Sequence, residues 1–172
     1  VEVLGDAPDF HFVPVGNAGN YTAYHRGYTE ELAISATTRM PRMFGFQAAG
    51  SAPMVLGHVV KDPDTIASAI RIGNPASWEL ALKAQADSDG YFGSITDDKI
   101  LEAHRILSAE VGIFVEPASA ISVAGLLERA EAGEIPKGST VVLTVTGHGL
   151  KDPQWALRTA DGSEVQPTIV SV

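Results

Sequence analysis

Apolar residues in this chain come in short continuous blocks, without polar/apolar alternation. Residues 10–15 (FHFVPV), 42–46 (RMFGF), 111–115 (VGIFV) and 140–145 (TVVLTV) read as four strands. Unbroken apolar strands are expected where helices cover both faces of a sheet. Helical patterns fall between them, over residues 21–32, 52–56, 78–85, 97–111 and 120–132. Asn74 and Pro75 read as cap and first position ahead of the 78–85 helix. Thr96 reads as the cap of the 97–111 helix, with Asp97 and Asp98 placed well for its dipole. Gly133 closes the 120–132 helix at the usual left-handed position. Residues 57–65 read as a surface loop, and Asp161 with Gly162 as a turn in a weakly patterned tail. Strands alternating with helices predict an α/β fold with a mostly parallel sheet flanked by helices.

That architecture locates the chemistry. Ligands of open parallel sheets bind beyond the carboxyl ends of the strands. The four expected strands end in loops rich in Gly, Ala, Ser, Thr or Asn, which let a ligand approach the backbone closely. If the strands run parallel, these loops gather on one edge, and the site is expected there.

Gly16-Asn17-Ala18-Gly19-Asn20 is the sharpest local feature. Two glycines three apart, between strand and helix, can turn successive N–H groups inward, and the helix adds its positive end. The combination is an anion cradle suited to phosphate. The plain alternative is a tight turn with an Asn cap. The loop lacks the Gly-Lys-Ser/Thr of a Walker loop and the third glycine of a dinucleotide fingerprint. Thr146, in Thr146-Gly147-His148-Gly149, offers a hydroxyl that can donate to or accept from a ligand, or simply cap a turn. Glu116 follows an apolar strand and reads either as a polar group near the ligand or as an acid favoured by a helix dipole. Gly73 and Asn74 belong to a loop that faces the ligand or caps the next helix. The five histidines show no metal-ligand spacing, and no serine has a G-x-S-x-G context, so neither a metal site nor a hydrolase elbow is expected.

Composition narrows the classes further. The 172 residues carry 12 Lys+Arg and 21 Asp+Glu, a formal charge of −9, which argues against nucleic acid as a partner. With 45% hydrophobic residues the chain can bury a core and is not disordered. The absence of cysteine removes disulfides, thiolate metal ligands and a thiol nucleophile, and fits a reducing cytosol. No apolar run is long enough to span a bilayer, and the opening has no basic leader segment. The chain opens at Val1 in mid-domain style and is expected to be a fragment or a processed chain.

Five motifs in order (PVGNAGN, MFGFQAAGSAP, AIRIGNPASWE, FVEPASA and TVTGHGLKDP) strongly resemble the threonine synthase family, across about residues 8–152. That family uses pyridoxal 5′-phosphate (PLP) on a tryptophan-synthase-β-like scaffold, fold type II. The text looks closest to the shorter bacterial, particularly actinobacterial, members. The resemblance implies that Gly16, Asn17, Ala18, Gly19 and Asn20 hold the PLP phosphate and that Thr146 bonds the pyridine nitrogen. A neutral hydroxyl there leaves the nitrogen largely unprotonated and the ring a weaker electron sink. Glu116, Gly73 and Asn74 would lie beside the ring. The implied reaction is a lyase step of threonine biosynthesis: O-phosphohomoserine and water give threonine and phosphate. Residues 1–152 would be a partial large domain, three-layer α/β, and residues 153–172 a carboxy-terminal tail.

One departure matters. The family's Schiff-base lysine sits upstream of the phosphate loop in a Ser-Phe-Lys-Asp-Arg-like motif. Lys61, Lys83, Lys99, Lys137 and Lys151 all follow the loop, and none has that context. The chain is therefore expected to be the carboxy-terminal part of a cytoplasmic enzyme, homodimeric at full length, to lack the catalytic lysine and to be inactive alone. Competing expectations are a threonine/serine dehydratase or cysteine synthase relative, and a non-catalytic phosphate-binding module. A nucleotide-binding protein ranks last, since no acidic ribose partner follows the loop at the expected distance.

Overall fold

The computed structural model describes residues 1–156 and Ser163. The expected turn at Asp161 and Gly162, and most of the expected tail, lie outside the described residues. The elements run in order β1 (Phe10–Pro14), α1 (Gly19–Ala33), β2 (Arg42–Ala48), α2 (Pro53–Leu56), α3 (Trp78–Asp87), β3 (Tyr91–Ile95), α4 (Asp97–Ile106), α5 (Pro117–Glu131), β4 (Val141–Leu143) and α6 (Pro153–Ala156). The strands form one sheet in the order β3-β2-β1-β4, and every neighbouring pair is parallel. An α/β fold with a helix-flanked parallel sheet is therefore what the chain adopts.

Side-chain alternation sorts the sheet's two faces. Phe12, Phe44, Phe46 and Ile95 pack against Ile100 and Ala103 of α4 and Ile121 of α5. Val13, Met43 and Phe92 pack on the opposite face with Tyr21 of α1 and Ala81 of α3. The aromatic ladder is close: the Phe12 and Phe46 rings stack with centroids 5.7 Å apart. Each such ring, fully buried, contributes about 1.5–3 kcal/mol. Two glycines make room for neighbouring rings, since a Cβ at Gly45 would stand 2.5 Å from the Phe92 ring and one at Gly93 2.7 Å from Phe46.

One expected strand is not a strand. Residues 107–111 continue α4 as a wide helical turn, Gly112 ends it at φ 74°, and of residues 111–115 only Val115 makes a bridge, antiparallel to His148. Val111 is 57% exposed and Ile113 41%, so the start of the run coats a surface connector, while Val115 at its end is buried in the core. The fourth strand is instead β3, whose Gly93 and Ser94 kept it from reading as an apolar block.

Several ends also move. α5 begins at Pro117, with Glu116 as its N-cap position, so the Glu116–Ala120 stretch is the helix's first turn and no loop. α3 starts at Trp78 behind Ser77, so Asn74 and Pro75 precede the helix without capping it. Thr96 flanks α4 but makes no side-chain cap; Asp97 accepts hydrogen bonds from Thr65 Oγ1 and Ile66 N. Gly133 adopts φ 73° after α5, as expected of a left-handed terminator.

Candidate functional site

Strand order dictates where a ligand can enter. From β1 the chain steps outward through β2 to β3, then returns to place β4 on the other side of β1. The helices after β1 and β2 lie on one face, and those after β3 on the other. The direction of winding thus reverses between β1 and β4. A crevice opens at such a switch point, beyond the carboxyl ends of the strands. The structure has a cleft of about 510 Å³ there, lined by residues that follow β1 and by Glu116, Thr146, Gly147 and Lys151.

The wall after β1 is the Gly16–Asn20 loop. Val15 N donates to Phe46 O and anchors its start to β2. A Cβ on Gly16 would lie 2.9 Å from Ile70 Cα, so only glycine lets the 68–70 turn press against the loop. Ala18 takes the left-handed conformation, φ 61°, just before α1. A non-glycine residue in that region is strained, and here its fully buried methyl is held in the α1/α3 cluster. Asn17 fastens the loop outward, its Oδ1 accepting from Ala76 N at 2.7 Å and its carbonyl from Ser77 N. Asn20 fastens it inward, donating from Nδ2 to Pro14 O and accepting from Tyr21 N. Among the described residues, the N–H groups of residues 17–20 have no acceptor within the protein. A row of free donors at a helix start is an anion cradle.

The opposite wall follows β4. Thr144 N donates to Phe12 O, which carries the ladder one residue past β4. Three side chains then fix the segment. His11 Nε2 pairs with Thr144 Oγ1 at 2.7 Å, Ser122 Oγ donates to Thr144 O at 3.0 Å, and Ser119 Oγ accepts from Thr146 N at 2.6 Å. His11 also meets Tyr28 Oη through Nδ1. Burial pushes the His11 imidazole down to about 4, so it is neutral at pH 7. Thr146 itself stays exposed at the cleft.

Glu116 forms the floor between the walls. Its side chain is buried, and its N–H donates to Gly147 O. A Cβ on Gly147 would fall 2.0 Å from Glu116 Oε1, so the glycine admits the carboxylate. Lys151 Nζ lies 3.3 Å from Glu116 Oε2.

The expected site residues are therefore placed as follows. Gly16, Asn17, Gly19, Asn20, Glu116 and Thr146 line one cleft, although the Gly16–Asn20 loop and Thr146 lie at opposite ends of the sequence. Ala18 shapes the loop from behind. Gly73 is buried against the 60 loop, where a Cβ would stand 1.8 Å from Val60 O, and Asn74 is exposed beside it. From that stretch it is Ile70 and Ile72 that reach the cleft. Sequence reasoning passed over Ser119, His11 and Lys151. Ser119 lies in FVEPASA, whose sequence reading rests on Glu116, and Lys151 is weighed only as a Schiff-base lysine, for which its context is wrong.

The residues present fit a phosphate-bearing aromatic cofactor. The loop with the free N–H donors, the hydroxyl-bearing Thr146 and the apolar Ile70 and Ile72 line one cleft. Comparison with known proteins agrees. Over 170 residues, 99% of this chain, it is 55% identical to threonine synthase from Mycobacterium tuberculosis, covering 47% of that protein. It is 53% identical to threonine synthase from Synechocystis, over 96% of this chain and 43% of that one. The chain thus spans about half the length of the curated relatives it matches. Among solved structures, a fungal L-serine ammonia-lyase from Rhizomucor miehei superposes with a TM-score of 0.67 at 17% identity, over 90% of this chain and 51% of that one. Serine racemase from Dictyostelium discoideum gives 0.61 at 21% identity, over 83% and 44%. At those identities the likeness shows the shared fold. The model of the family described as pyridoxal-phosphate dependent enzyme matches residues 1–147. The chain belongs to the family of pyridoxal-phosphate dependent enzymes.

Proposed function

We propose that this chain forms the carboxy-terminal part of a threonine synthase, which converts O-phosphohomoserine and water to threonine and phosphate. In this reading Gly16, Asn17, Ala18, Gly19 and Asn20 hold the phosphate of PLP, with Gly16 and Ala18 giving the loop its shape. Thr146 holds the ring nitrogen through its hydroxyl, and Ser119 sets the direction of Thr146 from behind. Glu116 borders the ring as a buried carboxylate, and Gly73 and Asn74 brace the loop that carries Ile72. When bound, PLP supplies the stabilisation of carbanionic charge that the elimination requires, and the protein supplies orientation and electrostatics. Residues 1–152 form part of the large domain and residues 153–172 a tail. The lysine that carries the cofactor belongs to an amino-terminal part of the same enzyme, which is a cytoplasmic homodimer.

The single observation that supports this reading is the meeting of the 16–20 loop and Thr146 across one cleft at the switch point of the sheet. The likeness to threonine synthases favours that reaction over the dehydratase alternative. The test is a coupled assay on a protein joining this chain to the amino-terminal half of its Mycobacterium relative, supplied with PLP. Threonine and phosphate are expected in equal amounts from O-phosphohomoserine. Faster conversion of threonine or serine to oxo acids would overturn the proposal in favour of a dehydratase. The 172-residue chain alone is expected to give no turnover.

A further inference from the structure

Among the described residues, two charged side chains line the cleft, and they face each other. Glu116 is 3% exposed in its side chain and Lys151 is 61% exposed, with Nζ 3.3 Å from Oε2. The carboxylate is buried against Gly147, where a Cβ would fall 2.0 Å from Oε1. The ammonium can move. The turn that carries Lys151 is pinned on both sides: His148 Nδ1 accepts from Leu150 N, and Asp152 accepts from Ser68 Oγ. Its backbone is thus fixed at the cleft while the four-carbon stem remains free to swing.

A phosphate monoester in this cleft would meet a buried negative charge on a chain of formal charge −9. The cradle offers N–H groups but no full positive charge. Building on the function proposed above, we propose that Lys151 is a further ligand-binding residue. It turns from Glu116 toward the phosphate monoester held in the cleft, and supplies the cation that the cradle lacks. Glu116 then competes with the ligand for one ammonium. Neutralising Glu116 strengthens anion binding, and removing Lys151 weakens it.

The phosphate can belong to the cofactor or to the substrate, and the probes separate the two. Calorimetric titration of the chain uses pyridoxine 5′-phosphate, which has no aldehyde for lysines to capture, and, separately, O-phosphohomoserine. Since Lys151 is largely exposed, its contribution is modest. Lys151→Met is expected to weaken binding about fivefold, and Glu116→Gln to tighten it by a similar factor. Both effects shrink as salt is raised. Lys151→Arg restores binding, which a purely structural role would not predict. Effects confined to pyridoxine 5′-phosphate assign the cation to the cofactor phosphate; effects confined to O-phosphohomoserine assign it to the substrate. If the unaltered chain binds and Lys151→Met matches it within twofold at low salt, the inference falls and the proposed function stands. If the unaltered chain binds neither probe, the inference falls, while the proposed function is decided by the coupled assay on the joined protein.

Discussion

Gly16, in the loop after β1, and Gly19, at the start of α1, stand three residues apart, yet a methyl added to each should have opposite effects on stability. At Gly16 the new Cβ would sit 2.9 Å from Ile70 Cα, 3.1 Å from Ile72 Cδ1 and 3.3 Å from Ala69 O. Carbon–carbon contacts relax near 3.5–4.0 Å, so the backbone of the 68–70 turn or of the loop must shift by roughly 0.5–1 Å. Overpacking of this kind costs about 1–3 kcal/mol. At Gly19 nothing lies within 4 Å of the added Cβ, its φ is outside the left-handed region, and it is the first residue of α1. Alanine there restricts the unfolded chain more than it disturbs the fold, and should be neutral or stabilising by up to ~1 kcal/mol. Urea unfolding of Gly16→Ala and Gly19→Ala beside the parent chain measures both. Gly16→Ala should also lose affinity for pyridoxine 5′-phosphate, because the shifted loop no longer aims its free N–H groups together. Equal stabilities for the two variants, or a greater loss at Gly19, would refute the close approach of the 68–70 turn as the reason for glycine at 16.

Two further outcomes follow from the wall beyond β4. His11 is held neutral in the folded state, so its contribution to stability is intact above pH 6.5 and declines as the pH falls toward 4. The unfolded chain takes up a proton there that the folded chain refuses, and the loss reaches ~3 kcal/mol. Unfolding measured across that range should show the acid step in the parent chain and a smaller one in His11→Asn; identical steps would remove His11 as its source. Ser119→Ala leaves Thr146 N without its acceptor and should destabilise the chain by about 1–3 kcal/mol, read by denaturant titration. A variant as stable as the parent would mean that Ser119 does not hold the Thr146 backbone.

Much of the fold could be read from the residues, and the exceptions have physical reasons. The apolar runs at β1 and β2 announced themselves because both sides of each are covered by helices, whereas β4, only partly buried, showed itself by its apolar text alone. The run at 111–115 misled for the converse reason: apolarity alone does not separate a buried strand from a connector, and here Gly112 had already turned the chain. β3 escaped because Gly93 and Ser94 interrupt its apolar text, although the gap at Gly93 is what the Phe46 ring fills. The 16–20 loop was legible as a cradle, since glycine spacing and a helix start are local facts. Its meeting with Thr146 depended on β4 lying next to β1, which is a matter of strand order and leaves no mark at either end of the pair. The contacts of Lys151 and Ser119 were invisible for the same reason.

The brevity of β4 has a consequence for how ligands can be found. Three residues pair it with β1, and its side chains are only partly buried. Short, half-covered edges are where local opening begins. One side of the cleft hangs on that edge while the other is anchored in the centre of the sheet. A molecule that touches both sides would act as a splint, selecting the closed edge over the frayed one. Its binding energy would then be visible as resistance to melting, about 2.7 kcal/mol at a concentration a hundred times its Kd. Thermal shift is therefore a screen for ligands of this half-site that requires no turnover, and the amides of β4 should report it first in hydrogen exchange.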